Sequence, residues 1–245
     1  MVDASEHLAV GLDVPDLVSA KRLAASLAGH VGWLKVGSEL FSAAGPAAVE
    51  IARDAARVFL DLKFHDIPHT VAGAVRVAAR LGVGMLTVHT AGGGPMLRAA
   101  RMAAEQEAAR HGVERPRIVG VTVLTSLAAA DLKEVGVSAA CVDDQVARLV
   151  ELAVANGLDA VVASPREVAR VRAVAGDALS IVTPGIRSTA TAADDQIRTA
   201  SAAEAIAAGS DVLVVARPVI HSADPVQAVR DLLVEIETGL AARSG

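Results

Sequence analysis

The stretch Val58 to His89, VFLDLKFHDIPHTVAGAVRVAARLGVGMLTVH, decides the fold. Val58 to Lys63 is a short run of β-branched, aromatic and aliphatic residues that ends in a charged turn before Pro68. Val71 to Leu81 then places Val, Ala and Leu at helical spacing, and Met85 to His89 is a second strand-like run. Strand, amphipathic helix and strand in roughly thirty residues make a βαβ unit, whose two strands pair in parallel.

The same alternation continues on both sides. Further strands are expected at Leu8 to Asp13, Trp33 to Val36, Ile118 to Leu124, Ala160 to Ala163, Ser180 to Thr183 and Val212 to Ala216. Amphipathic segments lie between them, among them Asp16 to Leu27, Pro95 to Arg110 and Gln145 to Ala155. About eight strand–helix units in a chain of this length fit a closed (β/α)8 barrel, whereas a doubly wound sheet more often has fewer strands. No Pro/Ser/Gly-rich linker or charge block divides the 245 residues, so one (β/α)8 barrel domain over 1–245 is expected.

Composition narrows the function. With 53% hydrophobic residues the chain can bury a large core without a disulfide or metal, and its one cysteine, Cys141, cannot form an internal disulfide or a thiolate cluster. The apolar runs are strand-length and flanked by charges, so no membrane span is expected. Met1 to His7 carries Asp3 and Glu6 and no long apolar run, so a cytoplasmic location is expected. A formal charge of −5 and 2% aromatic residues argue against nucleic acid as a partner. An anionic ligand must be held by a local cluster.

Barrel active sites lie at the C-terminal ends of strands, while polar residues at strand starts serve stability. The strand-end inventory is Asp13, Lys35, Asp61, Lys63, Asp66, His89, Thr125, Ser126, Ser164, Thr183 and Arg217. Residues two apart on a strand share a face, so Asp61 and Lys63 point into the barrel mouth while Leu60 and Leu62 face the helices. With Lys35 and Asp66 they form an alternating array of two cations and two anions. Buried ion pairs can exist only to satisfy one another, but four charges converging on the catalytic end point to a working site. Phosphate is expected at the loops after strands seven and eight, where Pro184, Gly185, Arg187, Gln196, Ala216 and Arg217 lie. Ser126 also reads as an N-cap for a helix over Leu127 to Val135. The histidines at 65, 69, 89 and 221 read as hydrogen-bonded structural groups rather than acids or ligands.

Leu60-Asp61-Leu62-Lys63-Phe64-His65-Asp66-Ile67-Pro68 resembles the signature of orotidine 5′-monophosphate decarboxylases. Gly11-Leu12-Asp13-Val14, Leu34-Lys35-Val36-Gly37, Thr87-Val88-His89, Leu124-Thr125-Ser126-Leu127, Thr183-Pro184-Gly185-Ile186-Arg187, Asp195-Gln196 and Val215-Ala216-Arg217-Pro218 resemble that family's other motifs in the same order. Three positions depart from its usual pattern: Ala216 in place of Gly, His69 in place of Asn and Thr90 in place of Ala.

The resemblance implies a cofactor-free, metal-free carboxy-lyase that converts orotidine 5′-monophosphate to UMP in pyrimidine biosynthesis. Asp61 would lie beside the substrate carboxylate, Lys63 would stabilise and protonate the carbanion, and Lys35 and Asp66 would hold Lys63 in place. Asp66 would come from the other subunit of a homodimer whose interface includes Thr70. Asp13 would accept hydrogen bonds from the ribose, with an acid before a helix as its bland reading. Thr125 and Ser126 would read the pyrimidine edge. Two rivals stand beside this one. The first is a magnesium-dependent sugar-phosphate decarboxylase or aldolase barrel with the same Asp-x-Lys-x-x-Asp pattern, which has a carboxylate where this chain has Lys35. The second is a noncatalytic nucleotide-binding barrel.

Overall fold

Alternation along each strand sorts apolar side chains into two cores, and the sorting requires a closed sheet. A computed structural model of the chain describes residues 3–138, 141–186 and 200–244. Its strands are β1 (Leu8–Gly11), β2 (Trp33–Gly37), β3 (Arg57–Phe64), β4 (Met85–His89), β5 (Arg117–Val121), β6 (Ala160–Val162), β7 (Ser180–Thr183) and β8 (Val212–Val215). They pair in parallel in sequence order, and β8 closes on β1. The expected (β/α)8 barrel is therefore the fold.

The barrel interior takes one residue from each strand: Ala9, Trp33, Phe59, Met85, Val119, Ala160, Val182 and Val212. Neighbours of opposite parity, such as Leu8, Val10, Leu34, Leu60 and Leu86, join the larger core between sheet and helices. Two of the chain's four Phe and Trp residues, Trp33 and Phe59, fill the interior beside Ala9 and Ala160, so volume rather than number closes the lumen.

The helices are α1 (Leu17–Leu27), α2 (Ser38–Ala44), α3 (Pro46–Arg53), α4 (Pro68–Arg80), α5 (Gly93–His111), α6 (Ala129–Glu134), α7 (Val142–Ala155), α8 (Val168–Ala175), α9 (Ala202–Ala207), α10 (Arg217–Ile220) and α11 (Pro225–Ser244). None among the described residues is long and apolar enough to cross a membrane. Local chemistry sets their ends. Asp16 caps α1 by accepting from the Ser19 N–H at 2.8 Å. Pro68 starts α4 three residues before the expected Val71, because proline at the first helical position is pre-organised. Gly112, at φ 63°, ends α5 in the left-handed conformation.

Several expected boundaries shift. The strands expected to reach Asp13, Leu124 and Ala216 end at Gly11, Val121 and Val215, so those three residues belong to the loops above the sheet. The N-cap reading of Ser126 is corrected as well. The helix begins at Ala129, and the Asp131 carboxylate accepts from the Ala128 N–H at 2.7 Å to organise its first turn.

One buried group stands out in the helix–sheet layer. Thr90, directly after β4, is fully buried, and its hydroxyl has no hydrogen-bond partner among the described residues. It fits only because residue 120 is glycine, whose added Cβ would come within 2.6 Å of Thr90 Oγ1. An unpaired buried hydroxyl costs about 1–3 kcal/mol. Thr90→Val keeps the shape and removes the hydroxyl, so it is expected to raise unfolding stability by about 1 kcal/mol in chemical denaturation; a loss of stability would mean that the hydroxyl is satisfied in solution.

Candidate active site

Four charged side chains meet at the C-terminal mouth, and they come from three adjacent strand ends. Lys35 Nζ donates to Asp13 Oδ1 at 2.9 Å and lies 3.9 Å from Asp61 Oδ2. Lys63 Nζ is 2.9 Å from both Asp61 oxygens. The order Asp13–Lys35–Asp61–Lys63 alternates in sign and has no net formal charge. The Lys35 and Asp61 side chains are only 10% and 15% exposed, so their attraction is weakly screened. The Lys63 side chain is more open, at 36%.

Packing explains how these charges approach so closely. A Cβ on Gly11 would lie 3.0 Å from Asp13 Oδ2 and 3.1 Å from Lys35 Cε. A Cβ on Gly37 would lie 3.0 Å from Lys35 Nζ. The two glycines at the ends of β1 and β2 thus leave the space that the ion pair occupies. Gly11 also accommodates Ala216, since a Cβ at position 11 would meet the Ala216 methyl at 3.0 Å.

The backbone of β3 departs from regular strand geometry here. Its ladder with β4 pairs Leu60 with Leu86 and then Phe64 with Val88, so four residue steps on β3 face two on β4. Lys63, at φ 51°, is the one non-glycine residue of positive φ among the described residues. That conformation costs about 1–2 kcal/mol for a side chain with a Cβ. Simple alternation therefore does not carry Lys63 to the mouth; a bulge turns it there.

A cavity of about 950 Å³ opens above the charges. Of the expected site residues, Asp13, Lys35, Asp61, Lys63, Thr125, Pro184, Gly185, Ala216 and Arg217 line it. Apolar side chains share its walls with these polar groups, Phe59, Val121, Val123, Val162, Val182 and Val214 among them. The cavity also meets Glu39 and His221, which the sequence did not mark as site residues.

Three expected residues lie elsewhere. Asp66 does not join the array within its own chain, and Asp13 takes the fourth place. Asp66 is exposed, its Oδ1 accepts from the Ile67 N–H at 2.6 Å, and it borders a separate shallow depression with His65, Pro68 and Gly92. Thr70, in the first turn of α4, shares that exposed face. Ser126 is exposed and does not border the cavity. Arg187 and Gln196 lie outside the described residues.

A family model described as "Orotidine 5'-phosphate decarboxylase / HUMPS family" matches residues 6–232. The chain belongs to that family. A protein of Moorella thermoacetica named orotidine 5'-phosphate decarboxylase is 49% identical over 236 residues, covering 96% of this chain and 93% of that one. A protein of the same name from Trichlorobacter lovleyi is 45% identical and covers 97% of this chain and 98% of its own. Among solved structures, the orotidine 5'-phosphate decarboxylase of Lactobacillus acidophilus superposes with a TM-score of 0.83 at 32% identity, covering 94% and 98% of the two chains.

Beside this family's charged motif, His65 and His89 stack with ring centroids 5.2 Å apart. Burial pushes the His89 pKa below its ordinary 6.5, the positive charges of His65 and Lys63 push the same way, and Asp61 opposes them. The direction of that shift favours the neutral imidazole next to the array. A histidine whose folded pKa is depressed binds protons more weakly in the native state than in the unfolded state. As pH falls through about 6.5 the unfolded state takes up the proton first, and stability is lost until the native form titrates too. Denaturant unfolding between about pH 7.5 and about pH 5 is expected to show this decline, and His89→Gln to flatten it; an identical slope in the variant would assign the decline to other groups.

Proposed function

We propose that this protein decarboxylates orotidine 5′-monophosphate to UMP and CO2, needing neither cofactor nor metal, as a carboxy-lyase of pyrimidine biosynthesis located in the cytoplasm. The observation that carries the reading is the Lys63 ammonium held at 2.9 Å from both oxygens of Asp61 in a cavity lined by both charged and apolar side chains. The relatives named for this activity support it.

Loss of CO2 leaves an electron pair on a vinylic ring carbon that has no adjacent electron sink. Catalysis must therefore stabilise a carbanion-like transition state and protonate it. Asp61 lies beside the substrate carboxylate, and its charge disfavours that group relative to the transition state. As the carbon–carboxylate bond breaks, its electrons stay on the ring carbon, and the Lys63 ammonium faces them and gives up a proton. The neutral amine then regains a proton from solvent. Lys35, 2.9 Å from Asp13 and 3.9 Å from Asp61, braces the carboxylate that in turn holds Lys63 in place.

The remaining roles belong to the same proposal. Asp13 accepts from the ribose hydroxyls, and Thr125 and Ser126 read the pyrimidine edge. Pro184, Gly185, Ala216 and Arg217 take the phosphate, with Arg217 the principal cation because its planar donors suit a dianion. Asp66 and Thr70 serve the site of the other subunit in a homodimer. The exposed position of both, outside their own cavity, supports this sharing.

The donor set weighs against the magnesium-dependent reading. A divalent cation would need to sit between carboxylates, and the Lys35 ammonium stands there, 2.9 Å from Asp13 and 3.9 Å from Asp61. The deciding measurement is the fall in absorbance when the purified protein meets orotidine monophosphate in the presence of a chelator. Turnover is expected; UMP binding without turnover would identify a noncatalytic nucleotide-binding barrel.

Two sets of variants test the assigned roles. Lys63→Ala is expected to lower kcat by at least about a thousandfold while UMP affinity changes by less than about tenfold, because the lysine acts on a charge present chiefly in the transition state. Mixing Lys63→Ala subunits with Asp66→Asn subunits should restore part of the activity, and no recovery after verified exchange would rule out a shared site. Arg217→Ala is expected to raise KM for orotidine monophosphate by about tenfold or more, the scale of one charge-assisted contact. The same variant should hardly change turnover of orotidine, which has no phosphate to offer. Equal losses on both substrates would assign Arg217 to the fold instead.

A further inference from the structure

We infer that Thr87, on β4, is a positioning residue for the Asp61–Lys63 pair: its single hydroxyl fixes the bulged backbone at Lys63 and the carboxylate of Asp61 together. The inference rests on the decarboxylation reading for what the pair does. Thr87 itself does not border the cavity and touches no substrate-facing space.

Parity and register place it. Met85 belongs to the barrel interior while Leu86 and Val88 belong to the outer core, so Thr87 faces inward beneath the mouth. It is the β4 residue between the ladder pairs Leu60–Leu86 and Phe64–Val88, which makes it the one opposite the bulge. Its side chain is fully buried.

The hydroxyl has two partners, and both belong to the reactive pair. Thr87 Oγ1 accepts from the Lys63 N–H at 2.8 Å and donates to Asp61 Oδ1 at 3.0 Å. The first bond satisfies a backbone donor that the interrupted ladder leaves facing a side chain. It also stabilises the left-handed conformation on which the direction of the Lys63 side chain depends. The second bond gives Asp61 a neutral donor that persists after Lys63 has lost its proton. At that moment the attraction between the ammonium and Asp61 is gone, and a carboxylate held by the lysine alone would be free to turn. Because one proton and one oxygen serve both bonds, each polarises the other. A threonine whose role was only to fill the strand would direct its hydroxyl at a neighbouring carbonyl or leave it unpaired, as Thr90 does.

The test compares Thr87→Val and Thr87→Ser with the parent chain. Valine keeps the shape and removes both bonds; serine keeps both. Thr87→Val is expected to lower kcat by about 30- to 100-fold, the effect of a misplaced reacting group, while KM and the UMP Kd stay within about threefold because uniform binding is untouched. Thr87→Ser is expected to stay within about threefold of the parent in kcat. A valine variant with nearly parental kcat, or a serine variant as slow as the valine one, would overturn the inference. If the valine chain does not fold, Thr87→Cys against Thr87→Ser gives the same contrast, since a thiol of similar size is a weak donor and acceptor. Should the parent chain fail to turn over orotidine monophosphate, the proposed function falls, and amide hydrogen exchange at Lys63 then decides on Thr87. Exchange faster by about tenfold or more in Thr87→Val and unchanged in Thr87→Ser supports it; equal protection in all three chains overturns it.

Discussion

The contact between the Lys63 ammonium and the Asp61 carboxylate exists because β3 bulges against β4 between Leu60 and Phe64. In a regular strand two side chains of the same parity stand side by side and diverge with the twist of the sheet. Here the backbone spends two extra residues against β4 and turns through φ 51° at Lys63, which brings Nζ to 2.9 Å from both carboxylate oxygens. The surroundings must hold that arrangement. Thr87 does so from below, and Lys35 does so laterally through its position between Asp13 and Asp61.

The cost of burying these charges is limited by their order. Each cation neighbours an anion, the cluster is formally neutral, and its least exposed members are those with two opposite charges near them. The apolar side chains that line the same cavity, Phe59 and the valines of β5 to β8, lower the local dielectric. A ligand carboxylate delivered there meets fixed charges instead of mobile water. Little reorganisation is then needed when charge moves during the reaction, which is the condition for electrostatic catalysis.

Much of this was legible in the sequence, and the misreadings have specific causes. Strand number and order followed from apolar runs separated by helical periods. Strand ends were overrun where apolar residues continue past the ladder for another purpose: Val123 and Leu124 are apolar because they line the cavity, not because they pair. That Asp61, Lys63 and Lys35 lie together could be read from charge at strand ends, which is costly without a task. Asp66 shares the motif but not the cavity of its own chain: the chain turns outward there and its carboxylate bonds the adjacent backbone, as a residue assigned to a partner's site would. Thr87 was missed because threonine is an ordinary strand former. Its sequence signals are its place in the Thr87-Val88-His89 motif and the inward parity it shares with His89 on the strand next to the charged motif. The bulge gives no signal at all, since a lysine in the left-handed region is selected by contacts that only the folded barrel contains.

The two ends of the barrel show how a structural ion pair differs from a working one. Asp159, just before β6, accepts bidentately from Arg115 at 2.6 and 2.8 Å and also from the Ile118 N–H of β5. Asp211, just before β8, does the same for β7: it accepts from Arg172 and from the Ile181 N–H, with Arg243 on its other oxygen. In both, an acid at a strand start fastens the preceding strand, and the cation is an arginine that cannot deprotonate and whose planar fork suits a fixed carboxylate. At the opposite end the cations paired with Asp13 and Asp61 are lysines, compact charges that can release a proton, and no backbone amide is seen to bond to Asp61 among the described residues. The choice of cation therefore separates the ends by chemistry. Arginine stands in the pairs that fasten strands, and lysine stands in the pair that the proposed mechanism requires to lose its charge and regain it.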